Sequence, residues 1–114
     1  MGKIKAILSQ VDGTSREVAI KGDIIKELQK LVGGQIEVVR YIEISMPGVV
    51  MVVNKEAEIM GLHENTAASI ICNRAILGDA VIIAERNNKF DTLFKDDKEE
   101  WIRALEDIEN KCIK

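Results

Sequence analysis

Five consecutive apolar residues occupy positions 49–53, with the sequence Val-Val-Met-Val-Val, and the run ends at Asn54. A strand with one face in water alternates apolar and polar residues, so this uninterrupted run predicts a strand that is buried on both sides. The preceding Ser-Met-Pro-Gly at positions 45–48 is typical of a turn. The fold must therefore cover this strand on both faces.

The first third of the chain predicts a hairpin and a helix. Residues 3–8 and 16–20 alternate polar and aliphatic side chains around a turn at Asp12-Gly13, which is the pattern of two paired strands. Asp23 is a suitable N-cap for a helix over residues 23–32, and Gly33-Gly34 supplies its left-handed stop. Residues 35–44 carry β-branched side chains on both parities, which predicts a central strand.

The second half of the chain predicts two more helices and a further long strand. Asn65 caps a short helix near residues 65–73, and residues 76–83 return as a strand with a break at Gly78. Helical spacing over residues 97–111 places Trp101 and Leu105 on one stripe. The predicted fold class is α+β: one domain over residues 1–114, with a single, mostly antiparallel sheet of about five strands and two main helices.

Charge and cysteine content narrow the functional classes. The 114 residues carry a formal net charge of -3, whereas proteins that bind nucleic acid phosphates present a concentrated positive face, so we expect no direct DNA binding. Cys72 and Cys112 form no metal-binding motif and predict reduced thiols of a cytoplasmic protein without a disulfide. We expect a protein that is not exported, because residues 1–5 do not open an apolar signal segment, and we expect no membrane span, because no apolar run is long enough.

Catalytic chemistry has few candidates in this sequence. His63 is the single histidine, and a hydrolase would have to pair it with Cys72 across the predicted short helix. No glycine elbow or oxyanion-forming motif surrounds either residue, so a loop histidine and a core cysteine are the preferred interpretation. The paired carboxylates at positions 96–100 begin a predicted helix, where they cap amides and offset the helix dipole. We predict no catalytic residues, no metal and no cofactor.

Ligand binding is the more promising activity. Arginine side chains bind phosphates through paired N–H donors, and loop amides add further hydrogen bonds. The alternative for each such residue is an ordinary role on the surface. The predicted ligand-binding residues are Arg40, Asn54, His63, Asn65, Asn73 and Arg74.

Two sequence blocks carry a family resemblance. They are VGGQIEVV at residues 32–39 and VVNKEAEIMGL at residues 52–62, followed by Asn65 and by a closing strand at 76–83. In this order they resemble a family of small proteins of unknown function that is common in bacteriophages, prophages and mobile elements. Where that family usually has glycine in the turn after the asparagine, this chain has Ala57, which tolerates a positive φ poorly and predicts a remodelled turn.

Three functional hypotheses follow. The resemblance and the missing catalytic set favour a phage-type accessory protein that binds a nucleotide-like small molecule or a host defence protein, and so counteracts defence. A second hypothesis is a structural or protein-interaction module that docks through a strand edge or its C-terminal helix. The third is a hydrolase that uses His63 and Cys72. An open sheet in a small aliphatic chain also favours a homo-oligomer, most simply a dimer.

Overall fold

The computed structural model describes residues 3–40 and 48–112. The strands are β1 (Ile4–Ser9), β2 (Ser15–Ile20), β3 (Ile36–Val39), β4 (Val49–Asn54), β5 (Ala80–Arg86) and β6 (Lys89–Asp91). The helices are α1 (Ile24–Val32), α2 (Ala57–Met60), α3 (Thr66–Cys72) and α4 (Lys95–Cys112).

The strands form one antiparallel sheet in the order β2-β1-β5-β4-β3, with β6 paired to the end of β5. The predicted α+β class, the mostly antiparallel sheet and the two main helices are confirmed. Strand β6 is the member that the sequence did not reveal. Asn87 and Asn88 have φ angles of 54° and 61°, and two successive left-handed residues make the tight hairpin that joins β5 to β6.

Strands β4 and β5 lie inside the sheet and are covered on both faces. All six residues of β4 are buried, as the apolar run at 49–53 predicted. Their side chains alternate between two apolar layers. Met51 and Ile82 point towards α3 and α4, while Val52 and Val81 point towards α1. Each side chain of this size that is fully buried contributes about 1.5–3 kcal/mol through removal from water.

The helix ends follow the predicted signals. The Asp23 carboxylate accepts a hydrogen bond from the Lys26 amide at 3.2 Å, and Gly33 ends α1 with a φ of 84°. Trp101 and Leu105 of α4 are buried against the sheet, as their spacing predicted. The helix begins at Lys95, two residues before the predicted start, and Asp96 and Asp97 lie in its first turn.

The prediction of a central strand over residues 35–44 is wrong. Strand β3 pairs only with β4 within the described part of the chain, so it lies at the edge of the sheet. Its apolar residues fall on both parities because Val38 packs in the α1 layer and Val39 in the α3 and α4 layer. Each of the two apolar layers thus reaches this edge, although Val39 is the one residue of β3 that is buried and Glu37 is exposed. The rest of that predicted strand and most of the turn before Gly48 lie outside the described residues.

Two turns differ from expectation. The strand predicted over residues 76–83 begins only at Ala80, because Gly78 adopts a φ of 85° and Leu77 makes a single bridge to Glu64. The segment around Ala57 is the first turn of α2, not a turn with positive φ. Ala57 itself is buried, and the left-handed position is taken by Gly61, with a φ of 69°. The expected remodelling at Ala57 is therefore unnecessary.

Asn65 is a buried polar residue that joins three parts of the fold. Its Oδ1 accepts a hydrogen bond from the Ala68 amide at 3.1 Å and so caps α3, as predicted. Its Nδ2 donates to the backbone oxygens of Ser9 at 2.9 Å and Gly78 at 3.1 Å. Only 1% of the residue is exposed, so no solvent replaces these bonds if the side chain is removed.

We predict that Asn65→Ala lowers the free energy of unfolding by about 2–4 kcal/mol, because a cap is lost and two buried carbonyl oxygens lose a donor. Asp23→Ala, which removes an exposed cap with one hydrogen bond, is the control and should cost about 1 kcal/mol. Urea unfolding of both variants measures the difference. Equal losses would show that Asn65 acts only as a helix cap.

Candidate ligand-binding site

A cleft of about 370 Å³ lies at the edge of the sheet, between β3 and the end of α3. It brings together Arg40, Asn73 and Arg74, which are three of the six predicted ligand-binding residues. We call it the arginine cleft, and its lining residues are Val38, Val39, Arg40, Cys72, Asn73 and Arg74.

The position of Arg74 is set by the way in which α3 ends. Asn73 adopts a left-handed conformation with a φ of 52°, and its amide donates to the Ile70 carbonyl at 3.3 Å. The Arg74 amide then donates back to the Ser69 carbonyl at 3.2 Å. Asparagine is one of the few residues other than glycine that adopt this conformation at a helix end. The turn therefore directs the chain at Arg74 towards the edge strand β3.

The two arginines of the cleft differ in their partners. Arg40 forms a two-pronged ion pair with Glu85, from Nε to Oε1 at 3.0 Å and from Nη2 to Oε2 at 2.9 Å. The hydrogen bond and the charge of Glu85 raise the pKa of Arg40. The guanidinium of Arg74, by contrast, has no carboxylate within 4 Å among residues 3–40 and 48–112. Of the two arginines, Arg74 is thus the one without a carboxylate partner in the described part of the chain.

Cys72 lies in the wall of the arginine cleft, but its thiol is unreactive. Only 4% of it is exposed, and its Sγ lies 3.4 Å from the Sδ of Met51. Burial raises the pKa of the Cys72 thiol to about 11, and the charge of Arg74 only partly offsets this. The thiol is therefore protonated near neutral pH, and a protonated thiol is a poor nucleophile.

A second cleft of about 180 Å³ adjoins the first and shares Arg74 with it. Four charged side chains line it together with an apolar floor, and we call it the charged cleft. The sequence did not indicate Glu37, Lys55 or Glu58, because charged residues on a strand and in a turn are usual on surfaces. The lining residues are Glu37, Val53, Asn54, Lys55, Ala57, Glu58, Arg74, Ala75, Ile76 and Leu77.

Asn54 and Asn65 have structural partners. The Nδ2 of Asn54 donates to the Val32 carbonyl at 3.1 Å, and its Oδ1 accepts from the Glu56 amide at 2.8 Å. It therefore ties the end of α1 to the start of α2 beneath the charged cleft. Asn65 is engaged in the same way at the start of α3, as described above. Both side chains are buried, with 4% and 1% of the residue exposed.

His63 lies in a different place from the arginine cleft. It is exposed and lines a cleft of about 490 Å³ where the end of α1, the end of α2 and the loop before β5 meet. Cys72 is not among the residues that line this cleft. The structure thus places the two residues of the predicted hydrolase pair in separate clefts.

The described residues contain no group of three or more histidine, cysteine, aspartate or glutamate side chains that is arranged to hold a metal ion. Within the same part of the chain, no helix combines the length and the apolar character that crossing a membrane requires.

Comparison with known proteins assigns the chain to a family. The model of a domain of unknown function, DUF3846, matches residues 4–106, a span that contains both clefts and every strand of the sheet. No curated protein and no solved structure matched the chain. Since the family model covers most of its length, the chain belongs to the DUF3846 family.

Proposed function

We propose that this domain binds a phosphate-bearing small molecule in the arginine cleft and holds it without covalent chemistry. The observation that carries the proposal is Arg74. Its guanidinium lines two clefts and has no carboxylate partner among the described residues, while the turn at Asn73 fixes its backbone. A guanidinium offers several N–H donors in a planar fork, and phosphate oxygens match that geometry.

The rest of the cleft is consistent with a ligand of modest size. Its volume of about 370 Å³ falls within the range of small-molecule sites. Val38 and Val39 supply an apolar wall, and the Asn73 carboxamide offers both a donor and an acceptor. Arg40 adds a second cation at the same edge, although Glu85 already neutralises it.

Binding is favoured over catalysis by the state of the one nucleophile in the cleft. Cys72 is a buried thiol with a raised pKa. His63, the residue that would have to deprotonate it, lines the separate cleft of about 490 Å³ at the ends of α1 and α2. A hydrolase ranks third, because His63 and Cys72 line separate clefts.

The biological role is also part of the proposal. We propose that the phosphate-bearing ligand is a nucleotide-derived signal of a host defence system. A protein from a phage or mobile element that binds this signal in the cytoplasm would lower its free concentration and so weaken the defence. The motivation is the resemblance in the two sequence blocks together with a site suited to binding without turnover.

The test compares Arg74→Gln with wild type in thermal unfolding with cyclic dinucleotides, cyclic ADP-ribose isomers and inorganic phosphate. A ligand at a hundred times its Kd stabilises the folded state by about 2.7 kcal/mol, which raises the Tm by several degrees. We predict that one of these compounds does so for wild type, and that Arg74→Gln weakens its binding by about ten- to a hundredfold through loss of a charged hydrogen-bond donor.

Arg16→Gln is the matched control, because Arg16 is an exposed arginine on β2 at the opposite edge of the sheet. It should leave the ligand-induced shift unchanged. Absence of a shift with every compound, or equal loss in both variants, would refute binding at Arg74.

A protein-interaction role is the second candidate, and α2 favours it. Ile59 is 86% exposed and Met60 is 50% exposed, so two large apolar side chains lie next to each other on the surface. We propose that they contribute to a homodimer. Light scattering should give twice the chain mass of 12.7 kDa for wild type and the single mass for Ile59→Asp. A monomer at every concentration of wild type would exclude the dimer.

A further inference from the structure

The two clefts that share Arg74 have different charge. The arginine cleft contains two cationic side chains and no carboxylate in its lining. The charged cleft adds Glu37, Glu58 and Lys55 around the same Arg74. A ligand that reaches from one cleft into the other therefore meets the two arginines first and then two carboxylates with Lys55.

The charges of the charged cleft are not neutralised by one another through contact. Neither the Lys55 ammonium nor the Arg74 guanidinium lies within 4 Å of a carboxylate oxygen of Glu37 or Glu58, and none of the four forms an ion pair elsewhere in the described part of the chain. All four residues are exposed at the rim, above a buried floor that includes Val53, Ala57 and Ile76. Their hydrogen-bonding groups are thus available to a ligand.

Backbone hydrogen bonds hold the rim in place. Lys55 donates its amide to the Gln35 carbonyl at 2.7 Å, which joins the ends of β3 and β4 next to Glu37. The buried Asn54 side chain holds the Glu56 amide at 2.8 Å and so fixes the start of α2, on which Glu58 lies. The carboxylates and Arg74 are therefore carried by elements whose relative positions are set by the core.

From this arrangement we infer that the ligand is a phosphate ester that also carries an amino or ammonium group. This inference rests on the proposed binding of phosphate at Arg74. Lys55 and Arg74 balance the charges of Glu37 and Glu58 in this cleft, but carboxylates only accept hydrogen bonds, so a ligand gains from the two glutamates only where it presents an N–H donor. Nucleotides with an exocyclic amine belong to this class, and so do simple aminoalkyl phosphates.

The test uses two probes that differ in one group. O-phosphoethanolamine and ethyl phosphate share the phosphate and a two-carbon chain, but the first ends in an ammonium group and the second in a methyl group. Their Kd values are measured by following backbone amide signals in NMR titrations of the full chain. We expect O-phosphoethanolamine to bind about five- to tenfold more tightly, as two solvent-exposed ion pairs allow.

The double variant Glu37→Gln, Glu58→Gln should abolish this preference and leave the Kd of ethyl phosphate equal or lower. Glu99→Gln, on the exposed surface of α4, is the control and should keep the preference. The dispersion of the amide spectrum verifies that each variant is folded.

The possible failures are distinguishable. If both probes bind with equal Kd and Arg74→Gln weakens both, the amino group is not recognised and only this inference is overturned. A preference that survives in the double variant also overturns it, because the carboxylates are then not its source. If neither probe nor inorganic phosphate shifts any signal, the proposed binding at Arg74 fails together with the inference.

Discussion

The burial of β4 and β5 on both faces is the constraint from which the rest of the structure follows. A strand that has no face in water needs a packed layer of secondary structure on each side, and in this fold helices supply both layers. Helix α1 covers one face, and α3 with α4 covers the other. Because Ala68 and Ile71 of α3 pack into the second layer, the C-terminal end of this helix is fixed beside β3. Arg74 follows two residues later, so the core determines where the cation lies.

The asparagines illustrate how far residue type can predict a role. Asn54, Asn65, Asn73 and Arg74 looked alike in sequence, as polar residues near the ends of elements. In the fold, Asn54 and Asn65 are buried, and the side-chain amide of each forms hydrogen bonds with backbone groups that would otherwise lack a partner. Asn73 is used for its backbone conformation. Arg74 is exposed, and among the described residues no carboxylate lies within 4 Å of its guanidinium. Burial, which a single sequence does not give, separates these cases.

The local elements were largely predictable, whereas their arrangement was not. Caps at Asp23 and Asn65 and the stop at Gly33 follow from backbone chemistry that acts over a few residues, so the sequence indicates them directly. The edge position of β3 depends on which strand pairs with which, and its apolar pattern resembles that of a central strand because Val38 and Val39 contribute to opposite apolar layers. The charged cleft could not be predicted for the same reason, since the pairing of β3 with β4 is what brings Glu37 next to Lys55 and Glu58.

The site combines a protonated thiol with a guanidinium that has no carboxylate partner among residues 3–40 and 48–112. Such a site is equipped to hold a ligand and is poorly equipped to break a bond in it. A ³¹P NMR experiment on adenosine 5′-monophosphate, which has both a phosphate and an exocyclic amine, measures both properties in one sample. With wild type, the phosphate signal should shift and broaden while the compound stays intact, and Arg74→Gln should leave the signal close to that of free ligand. An unshifted signal with wild type, or the appearance of inorganic phosphate that depends on the protein, would contradict a domain that acts by holding its ligand at Arg74.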